Sequence, residues 1–441
     1  MGLATFLGGV HPFEGKKLSE DKPIVKLEPK GELVYPLSQH IGAPARPLVK
    51  KGDAVLVGQI IGEANGFISA NVLSSVSGTV KAVEKRRVVN GTMTDCIVVE
   101  NDGSYTTVEG FGNERDYSAM SREEIVDAVK QAGIVGLGGA GFPTHVKLMP
   151  KEPDKIEYVI ANGAECEPYL TSDYRLMLEE AEKIVGGLKV MLALFPNAKG
   201  VIGIEDNKPE AIKKLSEIVK NETKIEVCPL KTKYPQGGER SLIYAVTGRK
   251  INSSMLPADA GCIVDNVDTI ASIYMAVCKS TPLIRKIITI TGEAVADPKN
   301  FEVRLGTNYQ ELIEAAGGFA VEPEKVISGG TMMGQAQFDL NVPVAKTSSA
   351  FTCLTKDEVA AQEPTACIRC GRCVQACPSR IVPQKMYRAA IKNDLEQFEK
   401  LNGMECMECG SCSFICPARL QLTQAFKETR KAVMASRRKK A

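Results

Sequence analysis

Two cysteine-rich stretches near the carboxyl end of the chain carry the residue types with the clearest chemistry. The pattern C-x2-C-x2-C-x3-C-P occurs twice, at residues 367–378 and again at residues 406–417. A cubane iron–sulfur cluster needs a thiolate on each of its four irons, and cysteines at intervals of three residues supply three of them from one loop. The spacing therefore predicts two [4Fe–4S] clusters, and with them a function in electron transfer.

The fourth ligand of each cluster has to come from elsewhere in the chain. In two-cluster ferredoxins, the cysteine that precedes each proline ligates the cluster held mainly by the other motif. By that rule one cluster takes Cys367, Cys370, Cys373 and Cys416, and the other takes Cys377, Cys406, Cys409 and Cys412. Zinc is the alternative metal, but zinc sites use separated C-x2-C pairs and need neither the third cysteine nor the proline.

The composition is typical of a soluble globular protein with several domains. Of the 441 residues 24% are charged, and the formal net charge of +2 argues against a dedicated nucleic-acid binder. Six further cysteines show no pairing signal, as expected in a reducing compartment: Cys96, Cys166, Cys228, Cys262, Cys278 and Cys353. No secretory signal is visible, nor any apolar run of about eighteen residues, so we expect a cytoplasmic location without a membrane span.

Residues 1–110 predict a β-rich front domain. The stretches L-V-K-K-G-D-A-V-L-V-G-Q and S-S-V-S-G-T-V are typical of short strands, with turns at residues 51–53 and 77–78. The pattern resembles the barrel-sandwich of biotinyl and lipoyl carrier domains, whose cofactor hangs from a lysine on a hairpin. The matching hairpin, N-G-F-I-S-A-N-V, has no lysine. We therefore expect a scaffold or docking module, with a separate short edge strand at residues 24–27.

Residues 120–285 alternate predicted helices and strands, which is typical of an α/β domain with a mostly parallel sheet. Four of its loops combine glycine or proline with polar groups: G-L-G-G-A-G-F-P-T-H-V-K from Gly136, N-G-A-E-C-E-P-Y from Asn162, Y-P-Q-G-G-E from Tyr234 and V-D-N-V-D-T from Val264. The first loop formally matches G-x-G-x-x-G, but a helix precedes it where the dinucleotide motif requires a strand. Taken singly, each loop is also compatible with an ordinary turn.

The order of these loops resembles that of known respiratory proteins. G-x-G-G-A-G-F-P-T-x-x-K, N-x-x-E-x-E-P, Y-x-x-G-x-E and N-V-x-T are similar to the NADH- and FMN-binding subunit of respiratory complex I. Together with the front domain and the double cluster motif, the arrangement resembles the C subunits of Rnf electron-transport complexes. The stretches L-G-G-V-H-P near the start and G-G-T-M-M-G from Gly329 agree with that resemblance.

The resemblance implies an FMN and NADH site formed by the four loops, with FMN against the glycine loop and NADH beside Phe142. The implied cofactor-binding residues are Gly136, Gly138, Gly139, Gly141, Phe142, Lys147, Asn162, Glu165, Glu167, Tyr234, Glu239, Asp265 and Asn266. Of these, Glu167 and Glu239 are expected to position the nucleotide. Three positions depart from complex I, with Leu137 in place of arginine, Ala164 in place of aspartate and Asp265 in place of asparagine.

The remaining ranges complete a multidomain α/β protein. Residues 286–345 resemble the soluble-ligand-binding β-grasp module of the same families, and we expect a spacer because no polar cluster is visible there. Residues 350–441 predict an α-helical domain with the two clusters. Its basic carboxyl-terminal helix is either a solvated tail or a site for anionic lipid.

The function implied by the resemblance is that of a peripheral NADH-oxidising or NAD-reducing subunit of an ion-translocating NADH:ferredoxin oxidoreductase. Electrons would pass from NADH to FMN, through both clusters, to the other membrane subunits at the cytoplasmic side of the cell membrane, and indirectly to ferredoxin. No catalytic acid, base or nucleophile is required. Two alternatives stay open: a corrin reductase of similar make-up, and an electron-transfer protein without flavin.

Overall fold

The computed structural model describes residues 2–440, with side chains described as far as Arg438. The strands in chain order are β1 (Ile24–Leu27), β2 (Glu32–Pro36), β3 (Arg46–Pro47), β4 (Ala54–Val55), β5 (Ile60–Glu63), β6 (Val72–Leu73), β7 (Gly78–Arg87), β8 (Met93–Asn101), β9 (Tyr158–Gly163), β10 (Lys199–Glu205), β11 (Ile225–Leu230), β12 (Cys262–Asn266), β13 (Arg285–Thr291), β14 (Lys299–Arg304), β15 (Lys325–Ser328), β16 (Gln335–Gln337) and β17 (Ala350–Leu354). The α-helices are α1 (Arg122–Gln131), α2 (Thr144–Lys147), α3 (Ser172–Glu179), α4 (Ala181–Leu194), α5 (Pro209–Ile218), α6 (Glu239–Thr247), α7 (Val267–Cys278), α8 (Tyr309–Ala315), α9 (Arg372–Ala376), α10 (Pro383–Ala390), α11 (Leu395–Lys400), α12 (Ser411–Phe414) and α13 (Leu422–Lys440).

The front domain is built from two small sheets, in the strand orders β2-β8-β7-β4 and β3-β5-β6. Alternating residues of these strands face each other, so that Leu33, Ile61, Val80 and Val99 are buried in one core. Within the range 1–110, this core begins only at β2. The chain before β2 lies against other domains.

The α/β domain has four parallel strands in the order β11-β10-β9-β12. The chain runs outward from β9 to β11 and then returns to the other side of β9, so the strand order reverses between β9 and β12. In such sheets the ligand crevice lies at the carboxyl ends of the strands at this switch point. Ser121 caps α1 in a capping box with Glu124. The stretch 172–194 forms two helices, α3 and α4, which are separated at Glu180.

The third domain is a six-stranded sheet in the order β1-β14-β13-β17-β15-β16. Its predicted range, 286–345, contains neither β1 nor β17, and both strands still pair within the sheet. The predicted edge strand at residues 24–27 is confirmed, because β1 occupies one edge. The ring of Tyr309, at the start of α8, stacks on the ring of Phe351 in the core, with the ring centres 4.3 Å apart.

The carboxyl-terminal domain is helical, with α9–α13 around a small core. Phe426 and Val433 of α13 are buried there with Phe398 and Met386. Of the two alternatives for this helix, a solvated tail does not hold for α13 as far as Val433, because one face of the helix supplies core side chains. Within residues 2–440 no helix is both long enough and apolar enough to cross a membrane.

Candidate functional site

The loops singled out in the sequence come together at the carboxyl edge of the parallel sheet. The Asn162 loop follows β9, the Tyr234 loop follows β11, and Asn266 lies at the end of β12. The glycine loop reaches the same edge, since the Leu137 backbone N–H donates to Oγ1 of Thr269 on α7 at 2.9 Å. The switch point between β9 and β12 is thus surrounded by the predicted cofactor-binding residues.

The glycine loop is held so closely that side chains at two of its positions would collide with neighbours. A Cβ on Gly138 would lie 2.8 Å from the Asn266 side chain, and one on Gly141 would lie 2.8 Å from Cγ2 of Thr347. Gly141 also has a φ of 71°, in the left-handed region that favours glycine. By contrast, a Cβ on Gly139 would meet no atom within 4 Å. The loop therefore combines a fixed backbone with open space at Gly139, as a cradle for a phosphate or flat ring requires.

The other end of this loop is pinned by its own backbone. Gly136 donates to the carbonyl oxygen of Phe142 at 2.9 Å, and Phe142 itself is half-buried. The loop thus closes on itself before α2 begins. Phe142 therefore lies where the loop closes, and its contact with the nucleotide stays a prediction.

Lys147 places a positive charge in the crevice. Its Nζ donates to Oδ1 of Asp265 at 3.1 Å and to the Val264 carbonyl at 2.9 Å. Burial alone would lower the pKa of Lys147, but the charges of Asp265 and Glu239 outweigh it and raise that pKa. Oδ2 of Asp265 is buried and has no hydrogen-bond partner among the described residues. A bound ligand can therefore accept a hydrogen bond from the charged Lys147 and donate one to the unsatisfied oxygen of Asp265.

The two asparagines of the site hold the loops themselves. Nδ2 of Asn162 donates to the Gly237 carbonyl at 2.9 Å, and Nδ2 of Asn266 donates to Oδ2 of Asp173 at 2.7 Å. Oδ1 of Asn266 also caps α7 by accepting from the Asp268 backbone. Both amides therefore position the crevice walls, and their contact with FMN stays a prediction.

Glu165 lies in a buried group of charges beneath the Asn162 loop. Its Oε1 accepts from the Asp173 backbone N–H at 2.8 Å, and its Oε2 lies 3.8 Å from Nζ of Lys16. Nearby, Nζ of Lys208 donates to Oε2 of Glu205 at 3.3 Å. Sequence reasoning missed Lys16 and Lys208, because an isolated lysine gives no sign that it will be buried. Together these charges fix the loop from below.

Glu167 and Tyr234 face the cluster domain as well as the crevice. The Tyr234 hydroxyl donates to the Cys409 carbonyl at 2.7 Å and lies 3.3 Å from Oε1 of Glu167. The Met332 backbone N–H donates to Oε2 of Glu167 at 3.1 Å. Burial raises the pKa of Glu167 to about 7, although these hydrogen bonds oppose the rise. The flavin domain, the third domain and the cluster domain therefore meet at Tyr234 and Glu167. Glu239, by contrast, is exposed in the first turn of α6.

The cysteines of the two motifs separate into two neighbourhoods. One cavity is lined by Cys367, Cys370, Cys373 and Cys416. In the other neighbourhood, burial raises the pKa of Cys412 to about 12, and the adjacent Cys409, Cys406 and Cys377 add to the rise. This grouping agrees with the ligand sets that the spacing predicts, which stay a prediction. In the part of the chain that the structure describes, no three side chains are set for a single metal ion.

Comparisons with known proteins cover each part of the chain. Residues 4–104 match the RnfC barrel sandwich hybrid domain, residues 129–275 the Nuo51 FMN-binding domain, residues 287–336 the SLBB domain and residues 360–417 a 4Fe-4S dicluster domain. The C subunit of the Na(+)-translocating ferredoxin:NAD(+) oxidoreductase complex of Acetobacterium woodii is 45% identical over 99% of this chain and 98% of its own length. The chain belongs to the family of Rnf complex C subunits.

Other members of the Rnf C family are also similar to this chain over most of its length. The C subunit of the proton-translocating ferredoxin:NAD(+) oxidoreductase complex of Clostridium ljungdahlii is 45% identical over 87% of this chain and 84% of that protein. The C subunit of the ion-translocating oxidoreductase complex of Pseudomonas aeruginosa is 40% identical over 99% of this chain and 57% of that longer protein. The resemblance stated from the sequence is thereby confirmed.

Among solved structures, the fold is similar to that of NAD+-reducing [NiFe]-hydrogenase. The air-oxidized form gives a TM-score of 0.51 at 18% identity, over 73% of this chain and 62% of that chain. The H2-reduced form gives 0.50 at 17% identity, over the same shares. At this identity the likeness concerns the fold alone.

The cofactor predictions for this Rnf C chain are confirmed at the level of domains: an FMN-binding domain and a domain for two [4Fe–4S] clusters. The site fits both groups. The open cradle at Gly139 and the charged Lys147 suit an anionic flavin nucleotide. The cysteines of each neighbourhood supply the four thiolates that a cubane cluster needs. The zinc alternative and the flavin-free alternative are thereby both disfavoured.

Proposed function

We propose that this chain oxidises NADH, or reduces NAD+ in the reverse direction, as the peripheral C subunit of an ion-translocating ferredoxin:NAD+ oxidoreductase complex. NADH gives up two electrons together as hydride, whereas a [4Fe–4S] cluster accepts one electron at a time. Bound FMN supplies the chemistry between them, since a flavin accepts hydride and returns electrons singly. The observation that carries the proposal is the contact between the flavin-site loop at Tyr234 and the cluster motif at Cys409.

The chain's own residues orient this exchange. Lys147 offers a positive charge to the anionic flavin nucleotide, and the glycine loop lets the backbone approach it. Glu239 is exposed beside the crevice, and half-buried Glu167 lies where the crevice meets the cluster domain. We assign them to hydrogen bonds that position NADH.

The second cysteine motif docks on the flavin domain at several points. Glu405 is held by NH1 of Arg240 at 3.0 Å and by the Ser253 backbone at 2.9 Å. A Cβ on Gly238 would lie 3.1 Å from the methyl carbon of Met407. The cluster of Cys377, Cys406, Cys409 and Cys412 therefore receives electrons from the flavin first.

The other cluster is placed to release electrons. Its ligands Cys367 and Cys370 are exposed, while Cys377 and Cys409 of the first acceptor are buried. An exposed cluster edge lets a partner protein approach closely. The electrons thus leave this chain through the cluster of Cys367, Cys370, Cys373 and Cys416. From there they pass toward other subunits of the complex and ultimately ferredoxin.

Attachment to the membrane is proposed from the cytoplasmic side. The front domain offers a scaffold surface, and α13 presents the exposed cations Lys431, Arg437 and Arg438. Clustered cations near anionic lipid gain about 1 kcal/mol each. Ion translocation itself belongs to the membrane subunits.

An anaerobic NADH titration of the purified chain, followed by visible absorbance, tests the function. The flavin band is expected to bleach and the broad cluster absorbance to fall with it. A chain that holds FMN and both clusters but is not reduced by NADH would contradict the proposal. A cobalamin added as acceptor tests the corrin reductase alternative, which predicts its rapid reduction.

A further inference from the structure

The stretch of residues 6–10 near the amino terminus lies between the flavin domain and the cluster domain. The Gly9 backbone N–H donates to the Ala376 carbonyl at 2.7 Å, next to the ligand Cys377. The Val10 N–H donates to the Tyr234 carbonyl at 2.9 Å, and the Tyr234 N–H donates back to the Val10 carbonyl at 2.9 Å. Consecutive residues of this short stretch, hereafter the clip, thus bind both redox domains.

The two glycines of the clip allow this close approach. A Cβ on Gly8 would lie 2.7 Å from the Cys377 carbonyl oxygen, and one on Gly9 would lie 2.7 Å from the Tyr234 carbonyl oxygen. Both have positive φ, 85° for Gly8 and 84° for Gly9, in the region that favours glycine. The clip therefore needs glycine at both positions for sterics and for conformation.

Side chains on either side fasten the clip. Val10 is 4% exposed and packs in one apolar cluster with Tyr234, Ala376 and Cys409. On the other side, Nζ of Lys233 donates to the Phe6 carbonyl at 2.9 Å and lies 4.4 Å from the centre of the Phe6 ring. The clip is thus part of the packed interface that contains the Tyr234–Cys409 contact.

We propose that the clip is a positioning element for electron transfer, which sets the separation between the flavin site and the cluster of Cys377, Cys406, Cys409 and Cys412. Electron tunnelling falls exponentially with distance, so a small opening of this interface slows transfer without touching the NADH site. The inference rests on the proposed function, because it concerns the first step out of the flavin site.

The test compares two substitutions in the full chain, purified anaerobically. Gly8→Val introduces a side chain against the Cys377 carbonyl, whereas Gly91→Val imposes a similar positive-φ strain where a Cβ meets nothing within 4 Å. Rapid mixing with NADH separates bleaching of the flavin from bleaching of the clusters. We expect Gly8→Val to slow the cluster phase at least tenfold while the flavin phase stays within twofold, and Gly91→Val to leave both phases unchanged.

Hydrogen exchange provides a readout that is independent of turnover. In Gly8→Val, peptides spanning residues 372–378 and 405–412 should exchange faster, while peptides of the parallel sheet should not. If Gly8→Val fails to fold, Val10→Ala takes its place and should slow the cluster phase. Val10→Ile keeps the apolar contact and should show the wild-type cluster phase.

The outcomes for the clip and for the function differ. A wild-type chain in which NADH does not bleach the flavin overturns the proposed function. Unchanged exchange and an unchanged cluster phase in a folded clip variant overturn the clip alone. Equal slowing of the flavin and cluster phases also overturns it, because the change then acts on the NADH site.

Discussion

The Tyr234 hydroxyl donates to the Cys409 carbonyl oxygen at 2.7 Å, across the boundary between the flavin domain and the cluster domain. Tyr234 is also the residue whose backbone pairs with Val10 of the clip. One side chain and its own backbone therefore link the cofactor crevice, the amino-terminal stretch and a predicted cluster ligand.

Replacing Tyr234 by phenylalanine should loosen this interface. The variant loses the bond to the Cys409 carbonyl, worth about 1 kcal/mol. We expect faster hydrogen exchange in residues 405–412 and slower reduction of the clusters after NADH is added. Tyr244→Phe, on α6 beside Lys250, is the matched control and should leave both unchanged.

Gly138→Val should remove FMN from the chain. A side chain there would meet Asn266 at 2.8 Å and push the glycine loop away from the crevice. Flavin released by heating the purified protein measures the loss. Gly31→Val is the control, since a Cβ at Gly31 has only an ordinary contact at 3.6 Å with Glu311. Full flavin content in Gly138→Val would show that the loop does not hold the cofactor.

Cys377→Ser should damage the cluster that the second motif mainly holds. Iron per chain is expected to fall from about eight to about four atoms, because one of two cubane clusters loses a ligand. Paramagnetic resonance of the reduced protein identifies which cluster remains. Cys228→Ser, at a free cysteine outside both motifs, should keep both signals. Loss of the other cluster in Cys377→Ser would reverse the predicted ligand sets.

Lys346 should make stability depend on pH above neutrality. Its Nζ is buried between the carbonyl oxygens of Asn71 and Gly133, at 2.5 Å and 2.7 Å, and burial lowers its pKa to about 7. The unfolded chain then binds more protons than the folded one between pH 7 and the ordinary lysine pKa. Stability therefore rises with pH in that window, by up to about 1.4 kcal/mol per pH unit.

Denaturant unfolding at pH 7 and pH 9 measures this rise. Lys346→Met should lose the lysine's share of the rise and should be less stable at pH 9, because two buried carbonyls lose their donor. Lys431→Met, at an exposed lysine, should retain the wild-type rise. An identical rise in all three proteins would show that Lys346 keeps its ordinary pKa.

Substitution of the exposed cations of α13 tests attachment to the membrane without the structural damage that deleting the end of the helix would cause. Removing residues 427–441 would take away buried Val433 and should destabilise the cluster domain. Lys431→Glu with Arg438→Glu leaves the core intact and should weaken recovery with anionic vesicles. The difference from wild type should vanish near 1 M salt, where the screening length is about 3 Å. Equal recovery at low salt would leave the front domain as the remaining attachment surface.

The sequence by itself determined the chemistry of this protein. The cysteine spacing predicts both clusters because ligands a few residues apart reach one cluster whatever the rest of the chain does. The order of the four loops indicated the flavin domain through its resemblance to known families. Ser121 with Glu124 defines the start of α1 through neighbours in sequence.

Tertiary structure alone decided how these parts are joined. Tyr234 and Cys409 are 175 residues apart, and Lys346 contacts Asn71 from 275 residues away. Nothing local marks Gly8, Lys16 or Lys346 as interface residues, because their roles depend on which surfaces become buried when the domains pack. Which cluster faces the flavin site is a property of that packing, since the spacing is identical in both motifs.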